Sequence, residues 1–194
     1  SIDEGDELVD VQLTLGDQDI FLATRGGMSI RFKEDEVRDM GRTARGVRGI
    51  NLDEGDSVVG VEIPASGTYM LTVSENGYGK CTPVEEYRLQ SRGGKGTINL
   101  KTVAKVGNVS GVLQVQGEEN IMLISSTGNV IRLKVQEVPI NHRVTQGVKL
   151  IDLEPEEKLV GVARTTQESE KDDAAENGVN DLDSANADEE PDEQ

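Results

Sequence analysis

Apolar and polar positions alternate along VDVQLTL at residues 9–15, the period of a half-buried strand. Further short runs follow: IFLAT (20–24) and MSIRF (28–32) flank RGG, and YMLTV (69–73) and YGKC (78–81) flank Glu75-Asn76-Gly77. The Asn-Gly pair predicts a tight hairpin, because both residues tolerate positive φ. Strands of this length every 8 to 12 residues, with no sustained helical period, predict an all-β chain.

The pattern repeats. ELVDVQL (7–13), SVVGVEI (57–63), NVSGVLQ (108–114) and KLVGVAR (158–164) occupy equivalent places, and their markers Leu8, Val58, Val109 and Leu159 are 50, 51 and 50 residues apart. A second column, IFLATRGGMSIRF, YMLTVSENGYGKC and IMLISSTGNVIRL, carries turn glycines Gly27, Gly77 and Gly128 at steps of 50 and 51. A third, ARGVRGINL (44–52), RGGKGTINL (92–100) and VTQGVKLIDL (144–153), aligns on Gly46, Gly94 and Gly147 at steps of 48 and 53. Three columns sharing one period establish an internal repeat. Four strands in about fifty residues predict a propeller-like fold: about three four-stranded blades plus a partial one. The units fall at about 5–54, 55–106 and 107–155, with the opening strand of another at 156–165. That last strand is expected to pair with a neighbouring blade, since its edge would otherwise lie open. SIDEGDEL (1–8) matches NLDEGDSV (51–58), so the chain reads as the C-terminal piece of a longer protein.

Composition narrows the class. Aromatics are 3 % of residues and Trp is absent, so Val, Ile and Leu must supply the core. No apolar run approaches the ~20 residues of a membrane span, and no signal peptide opens the chain, so no membrane partner is expected. One cysteine, Cys81, excludes an internal disulfide framework and suits a reducing cytoplasm. The net charge of −17 is uneven, because residues 168–194 hold twelve Asp/Glu against one Lys. That stretch lacks aromatics and apolar clusters, so 166–194 is expected to be a disordered acidic tail, either solubilising or competing for basic surface.

The third column is stripped of acid. Residues 40–52 contain Arg42, Arg45 and Arg48; residues 87–117 contain Arg88, Arg92, Lys95, Lys101 and Lys105; residues 138–151 contain His142, Arg143 and Lys149. None of these stretches holds an Asp or Glu. Stacked repeats would bring the three turns to one rim as a periodic cationic stripe. Glycines such as Gly93 and Gly94 let backbone N–H groups approach a phosphate, Arg adds a bidentate fork and Lys a point charge. No base-reading helix is evident, and Tyr78 and Tyr87 are too few for single-strand stacking. The expected ligand is duplex DNA, held by its backbone with little sequence preference. Each turn taken singly is also compatible with solvated surface, and duplicated units inherit a loop whether or not each copy binds. A protein-binding propeller stays open as an alternative, while a propeller enzyme lacks a convergent His, Asp or Glu set.

These residues resemble the C-terminal domain of bacterial DNA gyrase A, a β-pinwheel that wraps DNA. GMSIRFKEDEVRDMGRTARGVRGINLDEGD (27–56), NGYGKCTPVEEYRLQSRGGKG (76–96) and EENIMLISSTGNVIRL (118–133) look like its later blades, and the similarity spans residues 1 to about 165. In that family an earlier blade carries a Gln-Arg-Arg-Gly-Gly-Lys-Gly box required for wrapping. Gln90-Ser91-Arg92-Gly93-Gly94-Lys95-Gly96 matches it except at Ser91, which resembles a box-like copy in a late blade. Arg31 and Arg132 follow Gly27 and Gly128 by four residues as further candidate phosphate contacts; Cys81 interrupts that series, with Lys80 as a substitute.

The resemblance implies a DNA-bending part of an ATP- and Mg²⁺-using A2B2 type II topoisomerase that introduces negative supercoils. Its partners would be the rest of gyrase A and the gyrase B protein, and its place the bacterial cytoplasm. The corresponding domain of topoisomerase IV is the related alternative. None of Tyr69, Tyr78 and Tyr87 is expected to act as a nucleophile, His142 lacks a partner for catalysis, and this part is expected to hold no metal or cofactor.

Overall fold

The computed structural model describes residues 2–165; the tail expected at 166–194 lies outside them. Eleven strands and three single 3₁₀ turns make up the described chain. The central hairpins are β1 (Asp19–Thr24) with β2 (Met28–Lys33), β4 (Tyr69–Ser74) with β5 (Tyr78–Pro83), and β8 (Asn120–Ser125) with β9 (Val130–Lys134). Outer strands are β3 (Val58–Glu62), β7 (Val109–Val115) and β11 (Leu159–Arg164), and two-residue strands are β6 (Thr97–Ile98) and β10 (Val148–Lys149).

The three sheets run β3-β1-β2-β6, β10-β5-β4-β7 and β11-β8-β9. The first two hairpins therefore borrow both edges from the repeat that follows. The opening strand of the next unit pairs on one side, and the end of the next unit's cationic turn pairs on the other. The sheets thus straddle the fifty-residue units instead of coinciding with them. As expected, KLVGVAR closes an edge: Gly161 to Arg164 of β11 pair antiparallel with Ile121 to Ile124 of β8. A register shift recurs at the same place in all three outer pairings, at Ala23/Thr24, Val73/Ser74 and Leu159/Gly161.

Two local expectations change. VDVQLTL forms no strand: Leu13 and Leu15 are 88 % and 82 % exposed. Its counterparts β3, β7 and β11 are each held by the hairpin of the preceding repeat, and the described residues contain no hairpin before it. An amphipathic pattern makes a strand only where a ladder partner exists. The Glu75-Asn76-Gly77 turn is also different, because Gly77 has φ +80 while Asn76 does not adopt positive φ. Gly77 N–H donates to Ser74 O at 3.0 Å, which makes a type I turn followed by a left-handed glycine. Asn76 Nδ2 instead donates to the carbonyls of Ala104 and Lys105 at 3.2 and 3.1 Å, so its side chain fastens the hairpin to the next loop.

Apolar side chains collect in three clusters. One joins Phe21, Ala23, Met70, Val84, Tyr87, Leu100, Val106, Val109 and Val112, and so spans the first two sheets. A second surrounds Leu71, Val73, Cys81, Ile121, Leu123 and Leu159, and a small third comprises Ile30, Phe32 and Ile50. Aliphatics dominate as expected, but Phe21 and Tyr87 meet edge to face at 4.9 Å in the first cluster. The buried Tyr87 hydroxyl donates to Asn99 Oδ1 at 2.6 Å, and Asn99 bonds Thr72, so these buried polar groups satisfy one another.

Candidate nucleic-acid interface

The three cationic turns are stitched to one another in chain order. Gly93 N–H donates to Gly49 O at 2.6 Å, Asn51 N–H to Gly94 O at 2.9 Å, and Arg92 Nη1 to Arg48 O at 3.0 Å. One repeat later, Lys101 N–H donates to Thr145 O at 2.9 Å and Arg143 Nη1 to Ile98 O at 2.8 Å. The second turn thus touches both the first and the third. The backbone also corrects the third column. Gly46, Gly96 and Gly147, with φ of +84, +75 and +71, stand at one register, whereas Gly94 is not in the left-handed region. Their spacing is 50 and 51, the period of the other columns. Arg42, Arg92 and Arg143 then fall in line four residues before them.

The second and third turns are each seated on an acid from the preceding repeat. Glu36 accepts the Arg92 N–H at 3.0 Å and its carbonyl accepts Arg92 Nε at 2.8 Å. Glu86 accepts the Arg143 N–H at 3.1 Å and lies 2.7 Å from His142 Nδ1. Burial alone would raise the Glu86 carboxyl; the Arg143 N–H and His142 hold it below the usual carboxylate range. A signal for these seats exists in the sequence, since Glu36, Glu86 and Glu137 recur at steps of 50 and 51.

The candidate residues separate by exposure. Arg42, Arg45, Arg48, Arg88, Lys95, Lys101, Arg132 and Lys149 are exposed. Lys95 pairs with Asp53 at 2.7 Å with both side chains about two-thirds exposed, Arg45 stands 3.5 Å from Asp3, and Lys149 pairs with Asp152. Such surface pairs contribute roughly 0–1 kcal/mol, so a phosphate can replace them. Arg92 and Arg143 are half-buried braces between turns, with Arg143 also lying 6.0 Å over the Tyr87 ring. Gly93 is half-buried and Gly94 exposed beside them, while Arg132 lies on β9.

Two expected phosphate contacts are internal. Arg31 donates through Nε to Asp19 Oδ2 at 2.7 Å and through Nη1 to Val84 O and Tyr87 O at 3.0 and 3.3 Å. Lys80 is fully buried, at the register where the other hairpins carry Ile30 and Ile131. Its Nζ donates to His142 O at 2.6 Å and Arg143 O at 2.5 Å, so it fixes the third turn from beneath instead of facing solvent. Burial pushes its ammonium down to about 8, with Glu86 pulling upward and Arg143 adding to the fall.

Replacing Lys80 with Met is expected to cost about 2 kcal/mol near neutral pH by taking the donor from two carbonyls. A lysine whose folded value is lowered loses stability as pH falls, because below its unfolded value the unfolded chain holds the proton more tightly. Wild-type stability should therefore rise relative to the variant between about pH 8 and 10.5, where the unfolded chain still holds a proton the folded chain has shed. Urea unfolding of both proteins across that window checks the slope.

Among the described residues, no three His, Cys, Asp or Glu side chains converge on a metal position. No helix there is long and apolar enough to cross a membrane. Burial pushes the Cys81 thiol up to about 12, leaving it protonated at neutral pH.

A family model described as the DNA gyrase C-terminal domain, beta-propeller, matches residues 18–65, 68–116 and 119–166. The chain belongs to that family. The matched blocks recur with the period of the hairpins. The DNA gyrase A protein of Staphylococcus aureus (strain NCTC 8325 / PS 47) is 44 % identical over 172 residues, covering 88 % of this chain and 19 % of that protein. The chain therefore spans about a fifth of the length of this gyrase A relative.

A solved DNA gyrase A C-terminal domain superposes with TM-score 0.80 at 26 % identity, covering 86 % of this chain and 57 % of the other. A C-terminal domain of DNA topoisomerase IV superposes with TM-score 0.83 at 28 % identity, covering 91 % and 56 %. The cationic turns of this gyrase C-terminal domain thus sit on a sheet architecture that both solved domains share.

Proposed function

We propose that this gyrase C-terminal domain binds duplex DNA along its stitched turns and bends it around the repeated sheets. It would act as a non-catalytic, DNA-wrapping part of gyrase A. In this reading it serves a cytoplasmic A2B2 type II topoisomerase, together with gyrase B, that introduces negative supercoils. ATP and Mg²⁺ would be used by other parts of that complex.

The observation that carries the reading is the hydrogen-bonded succession of turns. It keeps Arg42, Arg45, Arg48, Arg88, Lys95, Lys101 and Lys149 on consecutive segments, while Glu36 and Glu86 are occupied as braces. Exposed cations on turns held at a fixed repeat suit a polyanion whose phosphates also repeat.

Substituting Arg45, Arg48 and Lys95 together with Gln tests this on the full chain. None of the three side chains braces the fold, so stability should stay level. The slope of log affinity against log salt should fall by about one per residue on unrelated duplex sequences. Unchanged duplex affinity and slope in a folded triple variant would overturn the reading.

A further inference from the structure

The first and second hairpins differ at one equivalent point. Arg31 and Cys81 share a register, as do Asp19 and Tyr69, because Arg31 pairs with Phe21 and Cys81 with Leu71 while Asp19 pairs with Lys33 and Tyr69 with Pro83. Both positions meet the next repeat alike: Arg31 bridges to Leu89 and Cys81 to Ile140. The following 3₁₀ turns match too, with Tyr87 N–H donating to Val84 O at 3.1 Å and Val138 N–H to Val135 O at 3.0 Å.

In the first sheet a single nitrogen, Arg31 Nη1, spans the carbonyls of Val84 and Tyr87. In the second sheet a thiol stands where the guanidinium would start, and a cavity of about 360 Å³ lies there, lined by Tyr69, Cys81, Val135, Val138, Pro139 and Ile140. Cys81 ends one atom beyond its Cβ, too short to span the Val135 and Val138 carbonyls as Arg31 spans theirs. The chain itself thus records what such a space holds: a planar group whose terminal nitrogen donates to two carbonyls.

Charge selects within that class. The carboxylate that balances Arg31 is Asp19, and its counterpart Tyr69 is neutral, as is the Cys81 thiol. No carboxylate lines the cavity, so a cation there would be desolvated without a counter-ion. Apart from Gly117 and the uncharged amide of Gln136, the remaining wall is aliphatic or aromatic, which favours a flat, largely apolar body.

We propose that the cavity between Cys81 and residues 135–140 is a binding site for an uncharged, planar small molecule ending in an NH₂ group, an amino-heterocycle or a primary carboxamide. Seated there, the NH₂ group donates to the Val135 and Val138 carbonyls. The bound group would hold the 3₁₀ turn at residues 135–138, which leads into the Arg143 turn, as the Arg31 guanidinium holds Val84 and Tyr87. This inference does not depend on what the turns bind.

The test is titration of 2-aminobenzothiazole into the full chain, followed by calorimetry and by saturation-transfer NMR. One saturable site with Kd below about 1 mM is expected. Its N,N-dimethyl analogue, which cannot donate, should bind about tenfold more weakly or worse, and methylguanidinium should bind more weakly than the neutral amine. Cys81→Arg supplies its own guanidinium and should abolish the site. Ile140→Trp obstructs the mouth without altering β5 and should do the same, with circular dichroism reporting retained sheet. Absence of saturable binding would overturn the proposal. So would equal affinity of the dimethyl analogue, preference for the cation, or unchanged binding by whichever obstructing variant is folded.

Discussion

Replacing Gly96 with Ala is expected to lower the unfolding free energy by about 3 kcal/mol or more, whereas Gly46→Ala should cost only about 1–2 kcal/mol. The two glycines share a register and a left-handed backbone, with φ of +75 and +84, so the intrinsic cost of a side chain is the same at both. What differs is the neighbour. A Cβ at Gly96 would stand 2.1 Å from Ser29 O, inside the β2–β6 pairing, while at Gly46 nothing lies within 4 Å. Backbone cannot yield there without giving up the pairing of Met28 with Ile98 and Ser29 with Thr97. Gly147, whose Cβ would meet Gly79 O at 2.4 Å, should behave like Gly96. Urea midpoints of the three variants decide it, and equal losses at positions 46 and 96 would show that the close approach is not what the glycine serves. Because Gly96 ends the turn that holds Arg92 and Lys95, its loss should also weaken duplex binding beyond any change in charge.

That contrast shows which features a sequence can reveal. Hairpins are local: alternation plus a turn glycine places β1–β2, β4–β5 and β8–β9, and their period exposes the repeat. β11 is legible for the same reason, as a fourth copy of an opening strand. That Gly93 and Gly96 of RGGKG take positive φ while Gly94 does not is not legible, and neither is the close approach at Gly96, which is made by a carbonyl from a far earlier strand, Ser29 O. Residues 9–15 carry a sound strand pattern and no strand, since pattern describes one face and not the partner.

The interface divides along the same line. Exposed cations such as Arg45 and Lys95 follow from acid-free composition. Arg31 and Lys80 look equally cationic in sequence, yet both are consumed by carbonyls of the following repeat. Only long-range contact distinguishes a brace from a ligand-facing charge, and the recurring Glu36, Glu86 and Glu137 are the available clue to that bracing.

Replacing Arg31 with Leu should cost about 3 kcal/mol, chiefly through what it leaves behind. Asp19 is buried, and although burial raises its carboxyl, bonds from Lys33 and Arg31 outweigh this and hold it below the ordinary aspartate range. After the substitution Lys33 remains, with Nζ 2.6 Å from Oδ1, as an ion pair rather than an aligned hydrogen bond. Oδ2 loses both Arg31 contacts, and the Val84 and Tyr87 carbonyls lose their shared donor. A carboxyl depressed in the folded state stabilises it above the unfolded value and loses that contribution as pH falls through the folded value. The wild-type advantage should therefore be full above about pH 4 and shrink below it. The second sheet indicates the remedy, since Tyr69 and Cys81 hold the equivalent positions without any charge. Asp19→Tyr combined with Arg31→Cys should then recover much of the loss, giving a coupling of about 1–3 kcal/mol in a double-mutant cycle. If the double variant is as unstable as the sum of its single changes, the cost lies in the lost carbonyl bonds and not in a stranded carboxylate.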